Sequence, residues 1–147
     1  TAIPFKKNKN LKKNVLPLLN DGAIPVLTGF YGIGPEGKPM TFGRGGSDYS
    51  SSVVACALEA DCCEIWTDVN GFMTADPRVV KDAFTIHEMD YSEAAELAYF
   101  GAKVLHPRTV EPVRKRGIPL AVKNTFNPES KGTIIRKIKN GSPAYAA

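Results

Sequence analysis

The chain has 147 residues, of which 43% are apolar and 23% are charged, as is typical of a soluble globular domain with a buried core. No apolar run approaches the roughly 18 residues that a membrane-spanning helix needs, so we expect no membrane partner. The three cysteines, two of them adjacent, provide neither a disulfide framework nor a zinc-binding spacing, and this favours a reduced, cytoplasmic protein.

The formal net charge of +4 comes largely from lysines and arginines near the two ends of the chain. Segments that bind nucleic acids often have aromatic residues between their cationic residues. The basic runs of this chain have none. We therefore expect the basic runs to be solvated surface and expect no nucleic acid among the partners.

The first 40 residues predict a helix, a strand and a hairpin. Four apolar residues at helical spacing indicate the helix: Leu11, Val15, Leu18 and Leu19. Pro17 falls inside this pattern and predicts either a kink or a later start of the helix. Residues 23–28 form a short apolar run that predicts a buried strand, and residues 29–39 contain a Pro-Glu-Gly turn that predicts a hairpin.

A glycine-rich loop at residues 41–46 precedes the next predicted helix, which runs to about Ala60. Glycine has a large entropy cost in helices and strands, so this stretch is predicted to be a loop. Ser47 or Asp48 is predicted to cap the helix through a side-chain oxygen. Arg44 stands in the loop beside the positive end of that helix, which suits a carboxylate or a phosphate. A plain tight turn with a solvated arginine is the alternative interpretation of the same residues.

A second buried strand is predicted at residues 62–67, directly after this helix. The repeated order of helix and buried strand favours an α/β fold with a largely parallel sheet. Ligands of such sheets bind beyond the carboxyl ends of the strands, where Thr67 and Asp68 are expected.

The chain from residue 90 onwards predicts two helices and two strands. Residues 90–93 make a capping box for a helix over residues 91–100. Pro107 suits the first turn of a further helix, and His106 beside it is expected to pack or to cap. The last two strands are predicted at residues 119–123 and 132–135.

Five segments, in this order, resemble aspartate kinase, a member of the amino-acid kinase superfamily. They are Thr41–Tyr49, Trp66–Val69, Thr74–Arg78, Phe100–Pro107 and Val122–Pro128. The resemblance covers nearly the whole chain from Ala23 to Ile135. It implies a three-layer α/β/α sandwich with a largely parallel central sheet.

The same resemblance implies a partial domain. Residues 1–147 are similar to the C-terminal, ATP-binding half of the kinase domain, with an ordered core at about 10–138. The N-terminal half, with its Lys-Phe-Gly-Gly motif, and regulatory domains of the ACT type are expected to be absent. We therefore expect a fragment of a longer cytoplasmic enzyme, a homodimer in that form, and little or no activity from the fragment alone.

For the parent enzyme, the resemblance implies transfer of the γ-phosphoryl group of ATP, with Mg²⁺, to the side-chain carboxylate of L-aspartate. The product would be 4-phospho-L-aspartate, the first intermediate towards lysine, threonine and methionine. Arg44, Gly45 and Ser47 would bind aspartate, and Asp48 would be the catalytic residue near the transferring phosphoryl group. No protein residue is assigned as a metal ligand.

The resemblance assigns six positions to ATP: Thr67, Asp68, Met73, Arg78, Lys103 and Val104. Met73 stands where the family often has a tyrosine, so the ring contact made there is lost or replaced.

Two other functions remain open at this point. A related kinase of the same fold could use glutamate, carbamate or a nucleoside monophosphate as its acceptor, although Arg44 beside Ser47 favours a small carboxylate. A non-catalytic nucleotide-binding or feedback-binding module is the alternative from another class.

Overall fold

The computed structural model describes residues 8–100 and 104–138, which contain four helices and six short strands. The helices are α1 (Asn8–Asn20), α2 (Gly46–Leu58), α3 (Tyr91–Phe100) and α4 (Pro107–Arg116). The strands are β1 (Tyr31–Ile33), β2 (Pro39–Thr41), β3 (Cys63–Thr67), β4 (Glu88–Met89), β5 (Leu120–Asn124) and β6 (Thr133–Ile135). None of these helices has the length and apolar character that a bilayer crossing requires.

Four of the strands form one mixed sheet in the order β3-β5-β6-β4. β3 and β5 are parallel, with Thr67 opposite Asn124, and β4 and β6 are also parallel. Only the β5–β6 pairing in this sheet is antiparallel. The predicted α/β class and its largely parallel sheet are therefore confirmed.

The predicted hairpin is also confirmed, as a separate two-stranded sheet of β1 and β2. The two strands are joined through a short turn at Pro35–Gly37, which contains the expected Pro-Glu-Gly sequence and in which Glu36 has a φ angle of +62°.

The hydrophobic core lies between one face of the large sheet and the helices α2, α3 and α4. In β3, Cys63 and Ile65 point into this core, while the alternate residues Glu64 and Trp66 are exposed on the opposite face. Phe72 is completely buried in the same core. Burial of a large apolar side chain stabilises the fold by about 1.5–3 kcal/mol, so this core holds the helical layer on the sheet. The described residues thus supply the sheet and one helical layer.

The strand predicted at residues 23–28 is wrong. This segment has no regular structure, and Ile24 and Val26 are 90% and 94% exposed. A strand is stable only when a neighbouring edge pairs with its N–H and C=O groups. Within the described part of the chain, no ladder forms with these residues. The apolar run is present, but none of the strands in the described ranges pairs with it.

Pro17 lies inside α1, which begins at Asn8, so the later start that the proline suggested is wrong. The proline lacks an N–H donor, but its carbonyl still accepts a hydrogen bond from Asp21 N at 3.0 Å. The helix therefore continues past the proline for almost one turn.

The caps predicted for the last two helices are confirmed. Asp90 Oδ1 accepts from Ser92 N at 2.9 Å, and Glu93 Oε2 accepts from Asp90 N at 2.8 Å. His106 caps α4, because its Nδ1 accepts from Arg108 N at 3.3 Å. The end of α3 and the start of α4 lie near the loop that follows β2, since residues of all three line one cleft.

Candidate active site

The glycine-rich loop connects β2 to α2 and turns sharply in a left-handed backbone conformation. Gly43 and Gly45 have φ angles of +76° and +68°, which residues with a side chain rarely adopt. α2 begins at Gly46, so Gly45 occupies the N-cap position without a side-chain cap. The prediction that Ser47 or Asp48 caps α2 is therefore wrong, because both residues already lie within its first turn.

An open cleft of about 750 Å³ lies beside this loop. Its walls come from the loop, from α2, from the end of α3 and from the start of α4. They are lined by Arg44, Gly45, Asp48, Ala98, Tyr99 and the segment Val104–Arg108. The cleft thus brings together four of the residues predicted for the site: Arg44, Gly45, Asp48 and Val104. Ser47 is exposed at the start of α2, next to this lining.

The electrostatics of the cleft suit an anionic ligand. Arg44 and Arg108 are both exposed guanidinium groups on its wall. The starts of α2 and α4 both contribute residues to the wall, and helix starts carry partial positive charge. Asp48 is a half-buried carboxyl in this setting, and burial raises its pKa above the ordinary value. The cleft therefore combines several groups that attract anions with a single carboxyl group.

The start of α4 braces the glycine loop. Arg108 Nη1 donates to the carbonyl oxygen of Phe42 at 3.1 Å. The same guanidinium lies 5.1 Å from the ring centroid of Tyr49, in the first turn of α2. The β-carbon of His106 packs against Gly45, so that a side chain at residue 45 would have to displace the histidine. The sequence predicted the capping role of His106 but gave no signal for Arg108, because its contacts bridge residues far apart in the chain.

A second polar cluster lies at the carboxyl ends of β3 and β5, where a ligand site was expected. Thr67 Oγ1 donates to Asp68 Oδ1 at 3.0 Å, and the carbonyl of Thr67 accepts from Thr125 N at 2.8 Å. Asn124 Nδ2 donates to Asn70 Oδ1 at 2.8 Å. The two parallel strands therefore end in a row of hydroxyl, carboxylate and amide groups.

Met73 and Arg78 lie in the long segment between β3 and β4. Met73 forms an isolated antiparallel bridge with Thr85. Arg78 is 86% exposed in its side chain, and its guanidinium is bound by Asp76, with Nη2 2.7 Å from Oδ2 and Nε 3.0 Å from Oδ1. This hydrogen bonding raises the pKa of Arg78 further above its already high value. The aspartate thus orients the arginine within its turn.

The described positions that were predicted to bind ATP therefore lie in more than one part of the fold. Val104 lines the cleft beside Arg44. Among the described residues, four of the six lie outside the lining of that cleft: Thr67, Asp68, Met73 and Arg78. Lys103 lies outside the described residues.

The carboxylate in the cleft fits a magnesium ion that binds together with a substrate phosphate better than one bound by protein ligands alone. No group of three or more His, Cys, Asp or Glu side chains within residues 8–100 and 104–138 could hold a metal ion. Mg²⁺ commonly keeps several waters and binds one or two carboxylates together with substrate phosphates. Asp48 is the carboxylate that lines the cleft, and it matches that requirement.

The chain is similar to known proteins over most of its length. The model of the amino acid kinase family matches residues 2–124. The bifunctional aspartokinase/homoserine dehydrogenase of Buchnera aphidicola is 50% identical over 125 residues, which are 84% of this chain and 15% of that protein. The crystal structure of Clostridium acetobutylicum aspartate kinase superposes with a TM-score of 0.82 at 40% identity, over 95% of this chain and 33% of that one.

A third relative carries ligands. The structure of E. coli aspartokinase III in complex with aspartate and ADP superposes with a TM-score of 0.82 at 42% identity, over 91% of this chain and 30% of that one. The chain thus spans a third or less of the length of each of these relatives. With a family model matching most of its length, the chain belongs to the amino acid kinase family.

Proposed function

We propose that this chain is the nucleotide-binding half of the catalytic domain of an aspartate kinase. The observation that carries the proposal is the cleft in which Arg44, at the positive end of α2, lies with Asp48 and Val104. Relatives that are 40–50% identical over most of this chain are aspartokinases, and one of them holds aspartate and ADP. The whole enzyme would act in the cytoplasm as a homodimer and would begin the synthesis of lysine, threonine and methionine.

Aspartate would bind through Arg44, Gly45 and Ser47. A guanidinium can grip a carboxylate with two parallel hydrogen bonds, and each charge-assisted bond contributes about 1.5–3 kcal/mol. Gly45 caps α2 without a side chain, so no capping side chain competes with the same anion at the start of this helix. These groups favour a small carboxylate over a nucleotide as the acceptor.

The transfer itself needs no general base. A carboxylate is already ionised near neutral pH, so its oxygen can attack the γ-phosphorus directly while the bond to the β,γ-bridging oxygen breaks and ADP leaves. The obstacle is repulsion between two anions, so catalysis depends on positioning and on positive groups around the transfer path. Arg44 and the starts of α2 and α4 are the groups that this chain supplies.

Asp48 is the group in the cleft that would hold Mg²⁺, directly or through water. Such an ion would supply positive charge that lowers the repulsion between the two anions. Asp48 lies in the first turn of α2, next to Ser47, and from there would organise the site around the reacting groups.

ATP would extend from the cleft to the strand ends. Val104, together with Lys103, would line the adenine side, and Thr67 and Asp68 would contact the nucleotide at the edge of the sheet. Arg78 would reach the phosphates from its exposed turn, and Met73 would replace the ring contact with a thioether. Support for this path comes from the polar row at the carboxyl ends of β3 and β5, where ligands of parallel sheets commonly bind.

The proposal is tested by measuring ADP release from the full-length protein with and without L-aspartate. We expect ADP release that depends on L-aspartate and that is lost when L-glutamate, carbamate or a nucleoside monophosphate replaces it. ATP binding without phosphoryl transfer would instead indicate a non-catalytic nucleotide-binding module. The 147-residue chain on its own is expected to release little or no ADP.

A further inference from the structure

We infer that Arg108 is a positioning residue for aspartate, acting through the glycine loop that carries Arg44. Arg108 connects the start of α4 to Phe42 in this loop and to Tyr49 in the first turn of α2, and it does so with a single guanidinium. The inference rests on the proposed function, since it concerns how Arg44 is held for an aspartate carboxylate.

Arg108 contacts the residues that lie directly before and directly after the segment from Gly43 to Asp48. Its Nη1 donates to the carbonyl oxygen of Phe42, at 3.1 Å, and Phe42 directly precedes Gly43. Its guanidinium carbon lies 5.1 Å from the ring centroid of Tyr49, which directly follows Asp48. The rings of Phe42 and Tyr49 also meet edge to face, with centroids 5.2 Å apart. One side chain thus holds the residues on either side of the segment from Gly43 to Asp48.

The loop needs such support because it is rich in glycine. Each glycine has many backbone states in a free chain, so a single loop conformation has a high entropic cost. Local hydrogen bonds supply part of the order, from Gly46 N to Gly43 O at 3.0 Å and from Tyr49 N to Gly45 O at 2.9 Å. Arg44 is exposed within this segment of the chain. Its direction therefore depends on how firmly the two ends of the loop are held.

The start of α4 is a rigid base for this contact. His106 packs against Gly45 and accepts a hydrogen bond from Arg108 N through Nδ1, at 3.3 Å. Arg108 is therefore anchored at its backbone on the same helix turn that touches the loop. Holding a binding group in place before the ligand arrives strengthens binding by lowering the ordering cost.

A guanidinium is suited to both contacts at once. Its N–H groups donate in the plane, while its face stacks on an aromatic ring. A lysine has the charge but has no planar group that can do both. Arg108→Lys therefore separates a positioning role from a simple charge, because a charge that acts directly on the substrate would survive this substitution.

The test uses the full-length protein with Arg108→Ala and Arg108→Lys, and with Arg114→Ala as the matched control from the exposed end of α4. The KM for aspartate, the KM for ATP and kcat are measured for each. For Arg108→Ala we expect the KM for aspartate to rise about tenfold, the loss of one charge-assisted contact, and kcat and the KM for ATP to change by less than about twofold. Arg108→Lys is expected to recover only part of this loss, and Arg114→Ala to behave like the wild type.

Hydrogen–deuterium exchange of the amides from Gly43 to Asp48, measured without substrates, provides a second readout. Faster exchange in Arg108→Ala, but not in Arg114→Ala, is expected. An unchanged KM for aspartate would overturn the inference. So would a raised KM with unchanged exchange, or full recovery with lysine, because either result would mean that Arg108 acts on the substrate by its charge. If the wild-type protein releases no ADP with aspartate, the proposed function fails, whereas the exchange comparison still tests the bracing of the loop.

Discussion

The backbone of Gly45 lies directly against the β-carbon of His106, so that a methyl group on residue 45 would overlap with the histidine. The two residues are far apart in sequence, and they join the loop before α2 to the cap of α4. Both residues line the cleft that contains Arg44. Glycine is therefore favoured at residue 45 both by the left-handed backbone conformation and by the lack of space for a side chain.

Gly45→Ala is therefore expected to destabilise the protein more than Gly43→Ala. Both glycines have positive φ angles, and a side chain in that conformation costs about 1–2 kcal/mol. A β-carbon on Gly43 would meet open space, whereas one on Gly45 would also displace His106, for which overpacking costs of about 1–3 kcal/mol are typical. Urea unfolding of the two variants measures the difference. Equal losses of unfolding free energy would contradict the contact with His106.

Arg44→Lys in the full-length protein is expected to raise the KM for aspartate far more than the KM for ATP. Lysine keeps the charge but loses the fork that makes two parallel hydrogen bonds to a carboxylate, so about 1.5–3 kcal/mol of binding is lost, or roughly 10- to 150-fold in KM. Steady-state titrations of both substrates measure the two effects. Arg114→Lys, on the exposed end of α4, is the matched control. Equal changes in the two KM values would contradict the assignment of Arg44 to aspartate.

Thr133→Val is expected to destabilise the fold, although the two side chains are nearly equal in size. Thr133 is completely buried in β6, accepts from Phe72 N at 2.8 Å and donates to Ile86 O at 2.6 Å. Valine would leave both backbone groups buried without their partner, at a cost of about 1–3 kcal/mol for each.

The matching controls are Thr133→Ser, which keeps the hydroxyl group, and Thr125→Val, which changes an exposed threonine. Thr133→Ser should lose less unfolding free energy than Thr133→Val, and Thr125→Val should lose almost none. The Thr133 hydroxyl would have no structural role if serine and valine were equally destabilising.

Asp90→Ala is expected to destabilise the protein by about 1 kcal/mol at pH 7, because it removes the cap of α3. Hydrogen bonds from the Ser92 hydroxyl and from Ser92 N lower the pKa of Asp90 below its ordinary value of 3.8. Since the folded pKa is depressed, the stabilisation by the ionised carboxylate is fully present above pH 3.8. It decreases as the pH falls through the lower, folded pKa.

Unfolding free energies of the wild type and of Asp90→Ala between pH 7 and pH 2 measure this effect. The difference in unfolding free energy between the wild type and Asp90→Ala should decrease only at the acid end of the pH series. Asp82→Ala, at an exposed aspartate of the preceding segment, is the control for general effects of charge. A gap that is constant down to pH 2 would contradict a cap made by the ionised carboxylate.

Local signals in the sequence were sufficient for most of the elements. The capping box at residues 90–93, the proline at Pro107 and the apolar runs of β3 and β5 depend on neighbouring residues alone, and each element formed where it was predicted. β4 was missed because a strand of two residues carries no periodic pattern. The strand at residues 23–28 was wrongly predicted because an apolar run signals burial, whereas a strand needs a partner edge.

The candidate site also contains some features that the sequence predicted and others that it did not. The order of glycines, arginine and serine around Arg44 indicated an anion-binding loop, because glycine content and helix polarity are local properties. The roles of Arg108 and Tyr49 could not be predicted, since Arg108 reaches Phe42 and Tyr49 only after α4 has packed beside α2.

The sequence by itself determined where the chain turns, where three of its helices and most of its strands lie, and which loop carries charge suited to an anion. Only the tertiary structure decided which residues share the cleft, which groups brace Arg44, and which apolar runs are buried. The physical reason is that backbone propensity and capping act over a few residues, whereas burial and pairing depend on surfaces that meet only in the folded chain.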